Sequence, residues 1–235
     1  LIHSPRYTII PLELFEDEHM ETLFYQNVKE FKNEIVLCNI LGKSNSVILF
    51  SLDKLTHLLL SEHFHSARFF SSISPQIEYL TIKSRQGNTC KMYINIHQGD
   101  IDAICMNKGK LLLVNSFPTP NANDLVYYIL NIWKQLEYDQ TRDELHLTGI
   151  NERKKEITKE LQKYISHVYS INPHAEFSGS ESNVRIEDIP FDIQSLILCD
   201  QLQTLQRKTC SMFLATTWTL KTDLLHLTFL PAQEV

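Results

Sequence analysis

Three short β-type runs lie back to back in this chain: Cys90 to His97, Asp100 to Met106 and Lys110 to Phe117. The gaps between them are Gln98-Gly99 and Asn107-Lys108-Gly109. Gaps this short, with glycine at the bend, predict antiparallel hairpins. Then Leu125, Tyr128, Ile129, Ile132, Trp133 and Leu136 recur at spacings of three and four. This predicts an amphipathic helix from about Asn121 to Tyr138, with a stripe broad enough to pack on a sheet. A short strand follows, Glu144-Leu-His-Leu-Thr-Gly149. A strand reached through a helix returns parallel, by a right-handed crossover. The order strand-strand-strand-helix-strand therefore predicts a mixed sheet over residues 88 to about 190, with Trp133 buried against it.

The flanks are read the same way. Tyr7 to Pro11 reads as a strand, and residues 13 to 30 as a helix with an acidic first turn and apolar Met20, Leu23, Phe24 and Val28. Glu34 to Leu41 and Ser46 to Leu52 read as strands joined by Gly42-Lys-Ser-Asn45. Asp53 is placed to cap a helix from Lys54 to Glu62, with Leu55, Leu58 and Leu59 on its apolar face. Ala67 to Phe70 looks like a short buried strand, and Ser74-Pro75 like a cap opening a helix to about Lys83. A helix beginning at Asn151 carries Ile157, Leu161, Tyr164, Ile165 and Val168 at helical spacing. Ser178 to Asn183 reads as a surface loop and Ile193 to Leu205 as a last helix. The polar Gln86-Gly-Asn88 suggests a boundary, so the expected domains are 1–87 and 88–200. The tail 201–235 is unplaced, with strands to complete a sheet the suggestion of its β-branched content.

Composition narrows the function classes. The formal net charge is -6 with no dense basic block. That disfavours a nucleic-acid-coating role, which needs clustered cations against phosphates. No apolar run approaches the ~20 residues of a membrane span, and the opening residues lack the pattern of a signal peptide. The five cysteines have no C-x-x-C spacing; they are expected to be reduced in a cytoplasmic protein. His57, His63 and His65 have no further ligand at usual spacing, so no metal is expected. Six glycines in 235 residues fall far below the ~7% average. Loops that cradle phosphate need glycine, because the backbone must approach closely.

The stretch Phe117 to Leu136, then Leu145 to Gly149, together with Ile9 to Phe15 and Ile189-Pro-Phe-Asp192, resembles the bacterial DUF3822 family. The resemblance covers roughly residues 5 to 200. It implies an α/β, actin-like ATPase (ribonuclease-H-like) architecture: two related domains with mixed sheets. Members of the family begin with a further β-hairpin, so the first domain is expected to be incomplete at its N-terminus. The family is also similar, more loosely, to actin-like proteins of type IV pilus assembly. The resemblance brings no activity with it.

In actin-like ATPases a phosphate-holding hairpin reads Asp-x-Gly-Gly-Gly-Thr-x-Asp. The corresponding turn here is Asn95-Ile-His-Gln-Gly-Asp100. Asn95 stands where the leading aspartate would organise metal and water, and the glycine run is reduced to Gly99. Asp100 and Asp102 remain, alternating along one strand so that both can face one side. A second contact in that superfamily, Thr-Gly-Gly-Gly, is here Thr148-Gly149-Ile150-Asn151.

The expected function is thus a non-catalytic actin-like scaffold or binding module with a degenerate nucleotide site. The alternatives are a weak ATPase or sugar-kinase-like enzyme, whose missing hairpin would supply a phosphate turn, and an RNA-processing or nuclease-like factor. The latter needs three or four clustered carboxylates. Asn95, His97, Gln98, Gly99, Asp100, Thr148 and Gly149 are expected at a cleft between the domains. They should form a polar, metal-free groove for an unknown protein or peptide partner, with no catalytic residue, cofactor or membrane insertion.

Overall fold

The computed structural model describes residues 1–149, 154–171 and 189–201. Strands β1 (Tyr7–Pro11), β2 (Glu34–Leu41) and β3 (Ser46–Asp53) form an antiparallel sheet in the order β1-β3-β2. The predicted helix over 13 to 30 is much shorter. Two 3-10 turns, Leu12–Leu14 and Asp17–His19, precede helix α1, Met20–Tyr25. Phe15 is extended between those turns and packs with Phe24 on the core of this sheet, so tertiary packing overrides the helical spacing.

Asp53 ends β3 and caps α2 (Lys54–His63), accepting the Thr56 N–H at 2.8 Å. The expected apolar face of α2 does not reach a core: Leu55, Leu58 and Leu59 are 71%, 53% and 55% exposed. Residues 67 to 70 are not a strand. Ser71 instead makes a single parallel bridge to Ile2. Helix α3 (Ile73–Ser84) starts earlier than predicted, with Ser72 at its cap position, and takes Pro75 into its first turn. Proline is tolerated there because that turn's N–H groups have no helical acceptor.

The second sheet contains β4 (Cys90–Ile96), β5 (Asp100–Asn107), β6 (Lys110–Pro118), β7 (Glu144–Gly149) and β8 (His167–Ser170). Its order is β6-β5-β4-β7-β8, antiparallel through the first three and parallel through the rest. This is the predicted mixed sheet. Helix α4 (Ala122–Gln135) joins β6 to β7, and Asn121 caps it by accepting the Asp124 N–H at 3.1 Å. Of the two adjacent tyrosines, Tyr128 stacks on Phe117 while Tyr127 faces solvent. Helix α5 (Lys154–Leu161) stops short of the predicted span, and Val168 lies on β8 beside Leu145. Apolar residues of the intervening turn happened to continue the helical spacing. Helix α6 (Phe191–Gln201) begins two residues before the expected Ile193. The surface loop at 178 to 183 and the tail after 201 lie outside the described residues.

Side-chain alternation gives the sheet two different faces. Met92, Ile94, Ile96, Ile101, Ala103 and Cys105 face α4 and α5, where Trp133 is 3% exposed. Tyr93, Ile104 and Met106 face α3 and α6, sharing one core with Leu41, Ile48 and Phe50 of the first sheet. That core crosses from one sheet to the other through α3. Cys90, Cys105 and Cys199 are free thiols. No helix among the described residues is long and apolar enough to cross a membrane.

Candidate functional site

The turn between β4 and β5 sits at one end of the second sheet. His97 N–H donates to the Asp100 carbonyl at 3.0 Å, and Gly99 N–H to the His97 carbonyl at 3.1 Å. Gly99 takes φ +107°, a conformation that favours glycine. Gly149, at the neighbouring end of β7, has φ +94°. A Cβ there would lie 2.1 Å from the Ile96 carbonyl oxygen, so the close approach of β7 to β4 itself requires glycine.

On the face toward α3, Asn95 and Asp102 are direct cross-strand partners. Both are buried. The Asn95 amide donates to Gln76 Oε1 at 3.2 Å, and Gln76 in turn donates to the Ser72 carbonyl at 3.1 Å. Asp102 accepts the Ser116 hydroxyl at 2.5 Å on Oδ1 and meets His97 Nε2 at 2.8 Å on Oδ2. Ser116 Oγ also lies 3.0 Å from the Tyr7 hydroxyl of β1. The site thus joins the two sheets.

His3, from the segment before β1, completes the cluster. Its Nε2 lies 3.1 Å from Asp100 Oδ2, and its Nδ1 lies 3.3 Å from Ser72 Oγ. Its ring centroid is 4.3 Å from that of His97. Asp192, in the first turn of α6, is buried, and its Oδ1 has no hydrogen-bond partner among the described residues. Asp100 Oδ1 is buried without a partner too.

The electrostatics are strongly coupled. Burial pushes the Asp192 carboxyl up, while His97 and His3 pull it back. Burial also pushes on Asp102, but the His97 hydrogen bond and charge, the Ser116 hydroxyl and His3 outweigh it and hold that carboxyl low. The hydrogen bond to Asp100 raises the His3 imidazole against the opposing effect of burial. Burial first, then the Asp102 charge, raises the Tyr7 phenol.

The residues singled out in the sequence occupy this one end of the sheet. Asn95 and Thr148 are buried side by side across the parallel β4–β7 pair. His97 and Asp100 are half-buried, and Gln98 and Gly99 are exposed. Sequence reasoning missed His3, Tyr7, Gln76, Ser116 and Asp192. The two-residue alternation of Asp100 and Asp102 did signal a shared face, but nothing signalled His3, which meets Asp100 from 97 positions away. Ser116 donates its hydroxyl to the Asp102 carboxylate rather than to an imidazole. His57, His63 and His65 lie elsewhere, exposed or half-exposed, with His63 Nδ1 against the Leu59 carbonyl. His3, His97 and Asp102 form the one potential metal-ligand group among the described residues.

Residues 1–168 match the family described as Protein of unknown function (DUF3822). A crystal structure from Bacteroides thetaiotaomicron, of a protein with actin-like ATPase fold and unknown function, superposes with a TM-score of 0.74 at 46% identity. The alignment covers 84% of this chain and 71% of that one. The PilM-PilN type IV pilus biogenesis complex gives a TM-score of 0.57 at 8% identity, covering 86% of this chain and 76% of that one. That likeness shows the shared fold. No curated protein matches the sequence.

Proposed function

The chain belongs to the DUF3822 family and has the actin-like ATPase fold, and from that premise we propose that it is a non-catalytic binding module. Its β4–β5 end engages a protein or peptide partner. The observation that carries this reading is Asn95. At the place where the phosphate hairpin of actin-like ATPases has its leading aspartate, this chain has a buried amide donating to Gln76. An amide cannot supply the charge that organises a nucleotide-bound cation and water. The glycine-poor turn adds to this, because bare backbone N–H groups hold phosphates.

A partner role has a precedent in the fold. A protein sharing this architecture forms the PilM-PilN complex. The turn offers an exposed amide at Gln98 beside the half-buried His97. The Gln98 amide, which both donates and accepts, suits a peptide better than a triphosphate.

The test is site-specific cross-linking in the native host. A photoreactive residue replaces Gln98, and in a parallel strain the remote, exposed Tyr127. The reading expects a discrete protein adduct from position 98 that is absent from position 127. No adduct at 98, or the same adducts at both positions, would contradict it.

A further inference from the structure

We propose that His3, His97 and Asp102 form a binding site for a divalent transition-metal cation, zinc foremost, with Asp100 and Asp192 beside it. One ligand atom from each of the first three lies within 4.8 Å of the others. Four tetrahedral zinc ligands at bonds of about 2.0–2.1 Å stand roughly 3.3 Å apart, so closing the site takes a shift of an ångström or so. Side chains at its mouth can supply that: His3 is 38% exposed and Asp100 29%.

Two further observations point to a cation. Asp192, in the first turn of α6, is buried with a free Oδ1. Asp100 also keeps a buried Oδ1 without a partner. Buried carboxylate oxygens without donors are costly. A cation among them would give these oxygens a partner.

The surroundings are arranged as metal-site supports are. Ser116 holds Asp102 Oδ1 and is itself in contact with Tyr7, which leaves Oδ2 to face the histidines. Ser72 Oγ sits at His3 Nδ1. A hydroxyl can donate or accept, so it can take the Nδ1 proton's hydrogen bond when Nε2 turns its lone pair to a metal. Paired imidazoles with carboxylates suit zinc and its first-row neighbours, whereas magnesium and calcium prefer oxygen donors. This site is separate from a nucleotide-bound cation of the phosphate-hairpin kind, whose leading acidic position is Asn95. A bound metal would tie the segment before β1 to the β4–β5 turn, with α6 beside it.

The experiment uses untagged protein stripped with chelator. Zinc chloride is titrated by calorimetry and by thermal melting, with manganese, magnesium and calcium chlorides as comparators. Cobalt(II) substitution supplies a visible absorption band that reports coordination. The variants are His3→Gln, His97→Gln and Asp192→Asn, with His63→Ala/His65→Ala as the surface control. Circular dichroism establishes that each is folded. His3→Gln changes a partly exposed side chain, so it keeps the test valid should His97→Gln unfold.

We expect one zinc per chain and a zinc-dependent rise in melting temperature. His3→Gln and His97→Gln should each weaken binding at least tenfold and abolish the cobalt band. The surface control should leave both unchanged. Absence of saturable zinc binding would overturn the proposal: histidine–carboxylate pairs alone would then hold the site. Binding that survives His3→Gln and His97→Gln but falls in the surface control would also overturn it, as adventitious coordination. Gln98 is not a ligand, so the cross-linking result stands or falls separately.

Discussion

At Gly149 the ends of β7 and β4 come close enough that a single methyl group would strike the Ile96 backbone. Gly99 has an equally unusual φ, but open space where its Cβ would be. The two glycines therefore make different predictions. Gly99→Ala carries the conformational penalty alone, about 1–2 kcal/mol. Gly149→Ala adds a backbone clash and should cost about 3 kcal/mol or more, read from urea unfolding. Equal costs at the two positions would mean that β7 can move away from β4. His146 makes a pH prediction. It lies between the Tyr93 and Tyr169 rings, with Nε2 2.8 Å from Glu144. Burial lowers its imidazole below the ordinary value, and the Glu144 hydrogen bond offsets this only in part. The unfolded chain then takes up the proton first, so this group's contribution to stability is present above about pH 6.5 and lost as pH falls. His146→Phe keeps the ring stack and removes the titration. Wild type should lose stability relative to this variant between about pH 7.5 and pH 5. Parallel curves would assign the imidazole no such shift.

Among the elements, those with short-range causes were legible. The hairpins of the second sheet follow from two- and three-residue gaps with glycine, and α4 follows from its broad stripe and its Asn121 cap. Trp133 is buried where the helical phase puts it, and Trp133→Ala should cost about 3–5 kcal/mol, measured by the same unfolding curves. What spacing does not reveal is whether a neighbour exists. Helix α2 has the leucine pattern of a packed helix, yet Leu55, Leu58 and Leu59 face solvent. Leu55→Lys and Leu58→Lys should each change stability by no more than about 0.5 kcal/mol, as exposed helical positions do. A loss of 2 kcal/mol or more would place those leucines in a contact. The α5–β8 boundary was missed for a related reason. Tyr164, Ile165 and Val168 keep helical spacing, but parallel pairing of β8 with β7 claims Val168.

Over the whole molecule, two sheets meet through α3, and the candidate site lies where they meet. Its turn was legible in the sequence because the hairpin is local. Its composition was not, because His3, Tyr7 and Asp192 reach it only through the packing of the two sheets and α6. By its resemblance to actin-like ATPases this end of the sheet corresponds to a phosphate-holding hairpin, and we propose that this chain binds no nucleotide there. Thermal melting with ATP and ADP at millimolar concentration, with and without magnesium, tests this most directly. A native-state ligand at a hundred times its dissociation constant stabilises by about 2.7 kcal/mol, which is several degrees for a chain of this size. The account predicts no shift with either nucleotide. A saturable rise of several degrees that disappears in Gly99→Val would contradict it, and would make the β4–β5 turn a working phosphate site.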